Sequence, residues 1–357
     1  MKKILNNKDY FKKKIQNHVD KPESSFIDED KLKFFQDEGN QEKALAKYRK
    51  TLKKNPDDLE ALVNIGCILF LKDDEEQAEE FFQRAKDLDA DNYFIHLNIA
   101  NLYFEKERYE KAILYFKKAL ELCPDNPEIL AGLGAAFYKI NKTNLAINYF
   151  NKAIKSNPEK HEYCANLASI YVETDDNKNA IKLFKKALEL DEEDYKIMVC
   201  LGNAYSELGN YEEAFKYFDK AISTASDYYK TYLCYGISKS ANRQIDEAID
   251  YYKKAISLNP KDEKTFIILA NTLVEKSLYD DAIICYKRAI DINSKNTLAY
   301  VAIGNTLALK NNLKESIDYY RAASRLEPNN PKINFIYEDA IEKYASKTIK
   351  KITEEEE

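Results

Sequence analysis

Asparagine is the residue whose type and spacing have the most chemistry to offer. Asn64, Asn98 and Asn166 fall at one place in a 34-residue count, and Asn101, Asn203, Asn271 and Asn305 fall three places further on. A carboxamide carries an acceptor oxygen and a two-hydrogen donor, so it can pair with both the C=O and the N–H of an extended chain. Amides spaced evenly along a surface would therefore hold a peptide backbone with little regard to its side chains. Lys196, Lys230 and Lys264 recur at the same interval and would stand along one edge of that surface. They read either as ordinary solvated charge or as an edge that meets an acidic partner, the chain's own EEEE tail included.

Catalytic chemistry has little to work with. The histidines are His18, His96 and His161, and no Ser-His-Asp or Cys-His pattern surrounds them. No glycine-rich phosphate loop and no metal-ligand spacing occurs. Cys67, Cys123, Cys164, Cys200, Cys234 and Cys285 are scattered without a CxxC pair. They read as reduced thiols, which sets disulfide and metal frameworks aside. The expectation is a protein that is not an enzyme and needs no cofactor and no metal.

Elements that could position the amides follow from the repeat itself. Counted from Ser25 as position 1, the period of 34 runs to Asn330 without insertion or deletion. Position 8 is small in eight of nine repeats (Gly66, Ala100, Gly134, Ala168, Gly202, Gly236, Ala270, Gly304), and position 20 is Ala from Ala44 to Ala282, with Ser316 last. Position 27 is Ala from Ala85 to Ala323, and position 24 is aromatic throughout, from Tyr48 and Phe82 to Tyr320. Small residues let two helices approach, and the ring fills the space beside them. Proline at position 32 (Pro56, Pro124, Pro158, Pro260, Pro328) cannot continue a helix and so sets the turn into the next unit. Apolar positions 4, 7, 8 and 11 share one stripe, as do 20, 24 and 27, which is helical spacing. Each repeat is then a helix-turn-helix that cannot bury its apolar side alone, so neighbours must stack. Positions 2, 5, 6, 9, 12 and 13 fall opposite the first stripe and would face a groove.

On these residues the chain resembles the tetratricopeptide repeat (TPR) family, over residues 25–330. The resemblance implies an all-α fold, a right-handed superhelical solenoid of nine tandem TPR repeats whose first helices line a concave groove, plus a C-terminal capping helix. The segments NIAN (98–101) and NLAS (166–169) resemble the asparagine ladder in the superhelix of O-linked N-acetylglucosamine transferase. Here the ladder is partial, since Gly132, Cys200, Cys234, Ile268 and Ala302 interrupt it. The family's position-4 Trp is absent, and Lys239 occupies packing position 11, where it should loosen its helix. The co-chaperone clamp of this family, which grips a terminal carboxylate, needs a lysine at position 5 that no repeat supplies.

The expected organisation is a basic, mostly disordered arm over 1–24, then repeats at 25–58, 59–92, 93–126, 127–160, 161–194, 195–228, 229–262, 263–296 and 297–330. A capping helix over 331–352 and a fraying acidic tail over 353–357 complete it. Fifty-five basic against sixty-one acidic residues give a net charge of -6, without the basic excess of a nucleic-acid binder. No run of eighteen apolar residues exists to span a membrane, and the start lacks the apolar core of a signal peptide. The expected function is a cytoplasmic adaptor or scaffold that binds protein or peptide segments in its groove within a multi-protein complex. The alternative, by family analogy, is a structural subunit of a ciliary, axonemal or ubiquitin-ligase assembly that binds through its outer face.

Overall fold

The computed structural model describes residues 38–355, with side chains placed from Asn40 to Ile349. The expected arm and the first helix of the first repeat lie outside the described residues. Every described element is an α-helix, and the eighteen helices follow one another in packed pairs. They are α1 (Glu38–Lys54), α2 (Leu59–Leu71), α3 (Glu75–Leu88), α4 (Tyr93–Glu105), α5 (Tyr109–Leu122), α6 (Pro127–Lys139), α7 (Thr143–Ser156), α8 (His161–Glu173) and α9 (Asn177–Leu190). After them come α10 (Tyr195–Glu207), α11 (Tyr211–Thr224), α12 (Tyr229–Ala241), α13 (Ile245–Leu258), α14 (Glu263–Glu275), α15 (Tyr279–Ile292), α16 (Thr297–Leu309), α17 (Leu313–Leu326) and α18 (Pro331–Glu355). From α2 to α17 the first helix of each pair, helix A, begins at position 1 of the count, and the second, helix B, begins at position 17. The last helix runs through Glu355, past the expected end of the cap. No helix among the described residues is long and apolar enough to cross a membrane.

The chain divides into two compact units, Met1–Ala204 and Tyr205–Glu357. Inside the first, Ala78, Ala112, Ala146 and Ala180 of the B helices are fully buried, as are Phe82, Phe116, Phe150 and Phe184 four residues on. A Cβ added to Gly134 would lie 2.8 Å from the Phe150 ring, so the A and B helices of that pair touch backbone to ring. Gly132 makes the same contact with the preceding repeat: its added Cβ would lie 2.5 Å from Phe116. Position 6 of that helix therefore packs between repeats.

In the second unit Ala214, Ala248 and Ala282 are again fully buried beside Phe218, Tyr252 and Tyr286. The end of this unit is closed by α18, whose Ile333 and Ala340 are buried and whose Ile336 and Tyr337 pack against Ile317 and Tyr320 of α17. Lys239 does not loosen α12. It is 8% exposed, its ammonium stands 4.1 Å from the centre of the Phe215 ring, and it reaches Glu247 at 2.8 Å. A ring face and a carboxylate together satisfy the buried cation. The bond from Lys239 in turn holds the Glu247 carboxyl below the usual carboxylate range.

The link from A to B has one geometry in every complete repeat. Position 15 adopts a left-handed backbone at Asp73, Glu107, Asn141, Asp175, Gly209, Arg243, Ser277 and Asn311, with φ between 57° and 74°. The amide that follows donates back to the carbonyl of position 11, as from Asp74 to Leu69 at 3.0 Å and from Gln244 to Lys239 at 2.9 Å. This is a Schellman closure. The same position-16 residue starts the next helix, and Asp74, Asp176, Asn210 and Asn312 also cap it with their side chains.

Candidate functional site

Every A helix from α2 to α16 except α6 carries a candidate amide or lysine. In the first unit Asn64 on α2, Asn101 on α4 and Asn166 on α8 are 5%, 4% and 9% exposed, so packing takes up most of their surface. Positions 5 and 12 of these helices are also largely covered, as at Val63, Leu97, Ala165, Phe70 and Phe104. Asn98 is half-buried, and its Nδ2 donates to the Phe94 carbonyl of its own helix at 2.7 Å. Phe94, one turn before it, is exposed. Lys196 and Asn203 are both half-buried on α10. They stand seven residues apart, close to two full turns, and so share a face.

In the second unit Lys230 lies half-buried on α12, and Lys264 is exposed on α14 seven residues before the half-buried Asn271. Lys264 and Asn271 thus repeat the α10 pairing on another helix. Asn271 and Asn305, on α14 and α16, have a second task. The Oδ1 of Asn271 accepts from Tyr286 Oη at 2.5 Å, and that of Asn305 accepts from Tyr320 Oη at 2.8 Å. Burial pushes both phenols above the usual tyrosine range, so they stay protonated donors. With its oxygen held from within the repeat, each amide keeps its NH₂ for another acceptor.

The B helices carry an array that the sequence reading did not single out. In the first unit Tyr103 stacks on Tyr115 at 5.5 Å and Phe137 on Tyr149 at 5.4 Å; in the second, Tyr205 stacks on Tyr217 at 5.8 Å. A lysine three residues on lies over each B-helix ring, Lys118, Lys152 and Lys220, at 5.2 to 5.4 Å from the ring centre. Lys117, Lys152 and Lys155 also line a cleft with Tyr149 and Leu120. The signal in the sequence was lysine at position 26 following an aromatic at position 23.

The groups with acid–base potential are occupied in other ways. Burial lowers the pKa of His96, which stacks near Tyr115 as a packing residue. His18 lies outside the described residues. None of the six cysteines is in a disulfide, and burial pushes the Cys285 thiol up to about 11, which keeps it protonated at neutral pH.

The family model for the C-terminal domain of cilia and flagella-associated protein 70 matches residues 36–265, and a tetratricopeptide-repeat model matches residues 267–331. No curated protein sequence matches. Among solved structures, a tetratricopeptide repeat protein from Parabacteroides merdae is 19% identical with a TM-score of 0.56, covering 70% of this chain and 98% of that one. The Cut9-Hcn1 hetero-tetramer of the APC/C is 18% identical with a TM-score of 0.52 over 76% of this chain, which spans 55% of that one. Yeast Tom70 is 16% identical with a TM-score of 0.55, over 81% of this chain and 64% of that one. At these identities the likeness is one of fold.

Proposed function

The chain belongs to the tetratricopeptide-repeat family of the cilia and flagella-associated protein 70 C-terminal domain, and from that premise we propose a non-enzymatic adaptor that grips a segment of another protein along its A helices. The observation that carries this reading is the Lys–Asn pair at positions 2 and 9, which α10 and α14 present in the same register. The lysine supplies charge to an acidic side chain, and the amide supplies donors to a peptide carbonyl. Asn98 beside the exposed Phe94 adds an amide and an apolar contact on α4. Asn64, Asn101 and Asn166 would join the grip only through the small surface that packing leaves them. Each hydrogen bond adds about 1 kcal/mol net and ordering the peptide costs several, so affinity in the micromolar range is expected.

The lysine-capped rings of the B helices favour a second reading, a structural subunit that docks through the opposite face. The expected location is the cytoplasm, in association with a cilium or the cytoskeleton, and the match to the cilia and flagella-associated protein 70 domain supports the ciliary part of that reading.

Crosslinking mass spectrometry in cells identifies a partner, and two variants then separate the readings. The first carries Lys196→Ser, Asn203→Ser, Lys264→Ser and Asn271→Ser; the second carries Lys118→Ser, Lys152→Ser and Lys220→Ser. Loss of partner recovery by the first alone supports the A-helix grip. Full recovery by a folded first variant rejects it, and loss by the second alone moves the interface to the B helices.

A further inference from the structure

One side-chain cluster in the first unit has no counterpart among the described residues. His161 opens α8, Asp191 follows the last residue of α9, and Asp194 precedes α10. The repeat at 161–194 thus sets a histidine at position 1 against aspartates at positions 31 and 34. The corresponding residues of the next repeat are Tyr195, Ala225 and Tyr228, and those of the one before are Pro127, Asn157 and Lys160.

The three groups bring one possible ligand atom each to within 4.8 Å of the others. Asp194 uses Oδ1 to accept from the Lys196 and Ile197 amides at 2.9 and 3.0 Å, and Asp191 uses Oδ1 to accept from the Glu193 amide at 3.2 Å. Their second oxygens stand 3.7 and 3.8 Å from His161 Nε2, too far for hydrogen bonds. The other ring nitrogen, Nδ1, lies 3.5 Å from Glu162 Oε2. With its proton on Nδ1, His161 would offer the Nε2 lone pair to an ion lying between it and the two aspartate oxygens. Three electron-rich atoms then face one another, all within 4.8 Å. Ligand atoms on a tetrahedral ion with bonds of roughly 2.1 Å are about 3.4 Å apart, so each carboxylate oxygen need move only a few tenths of an ångström toward Nε2, and the two oxygens, within 4.8 Å of each other, would draw in with them. Lys160 stands 3.9 Å from Glu162, on the side of the ring away from the aspartates' contacts with Nε2.

We propose that His161, Asp191 and Asp194 bind a divalent transition-metal ion of the zinc class, with water completing the shell. One imidazole and two carboxylates suit zinc, cobalt or manganese, and the imidazole disfavours calcium and magnesium. The ion cross-links the start of α8 to the α9–α10 turn. It stabilises the fold there and has no catalytic part.

The test uses the full chain, treated with a chelator, dialysed and titrated with Zn²⁺ by calorimetry and with Co²⁺ by visible absorption. One equivalent of Zn²⁺ should bind and raise Tm, and Co²⁺ should give ligand-field bands without a thiolate charge-transfer band. His161→Asn, and separately Asp191→Asn, which keeps an acceptor for Glu193, should weaken binding by at least about tenfold and abolish the Tm rise. Circular dichroism checks that each variant folds; should one fail, the other decides. Equal affinity in wild type and both variants, a thiolate band, or no binding by the wild-type chain overturns the proposal.

Discussion

At the scale of single residues, Asn271 shows how one amide serves fold and surface together. Its oxygen receives the Tyr286 hydroxyl, and Tyr286 is 2% exposed. Asn271→Ala should destabilise the chain by about 1–3 kcal/mol, because a buried hydroxyl loses its acceptor. Adding Tyr286→Phe should restore most of that loss, since Ala135 and Phe150 already form a hydroxyl-free pair at the same two positions. Urea unfolding of the two single variants and the double variant measures the coupling; additive effects would show that the bond contributes nothing. The sequence places Asn271 in register, but whether its oxygen turns inward depends on a hydroxyl fifteen residues away.

Among the elements, the A-to-B turn is the most uniform feature and was the least legible. Seven non-glycine residues hold a left-handed backbone there, and Gly209 is the one glycine among them. A side chain in that region costs roughly 1–2 kcal/mol, against about 0.5–1 kcal/mol for the extra freedom a glycine loses on folding. Arg243→Gly should therefore stabilise the protein by about 0.5–1 kcal/mol, read as a shift in denaturant midpoint at constant m-value. A lower midpoint would mean that the φ of 64° carries no strain. Glycine after a helix is the usual mark of this turn, and here asparagine and aspartate often stand in for it. Arg243 and Glu107 give no such hint; the neighbouring helices hold them in place.

For the whole molecule, each repeat packs on its neighbours, so damage should stay local. Ala180 is fully buried on α9. Ala180→Trp should overpack that contact and lower stability by about 1–3 kcal/mol. Hydrogen exchange should show the greatest loss of protection in α8 and α9, fading along the chain in both directions. Uniform deprotection of all helices, or a melting temperature equal to wild type, would contradict both the register and the nearest-neighbour picture.

The 34-residue spacing of small, aromatic and proline positions determined the helix pairs, their order and their packing residues, because each pair has one apolar side and only a neighbour can cover it. Lys239 lay beyond that pattern: its acceptable burial depends on the Phe215 ring from the preceding repeat and on Glu247 from the next helix. The exposure of the candidate amides was likewise decided in three dimensions. Asn64 and Asn98 share position 6 and differ in exposure, and at Gly132, the same position, the covering ring is Phe116 of the preceding repeat. The meeting of His161 with Asp191 and Asp194 is of the same kind, since helices α8 and α9 must pack before their ends can touch.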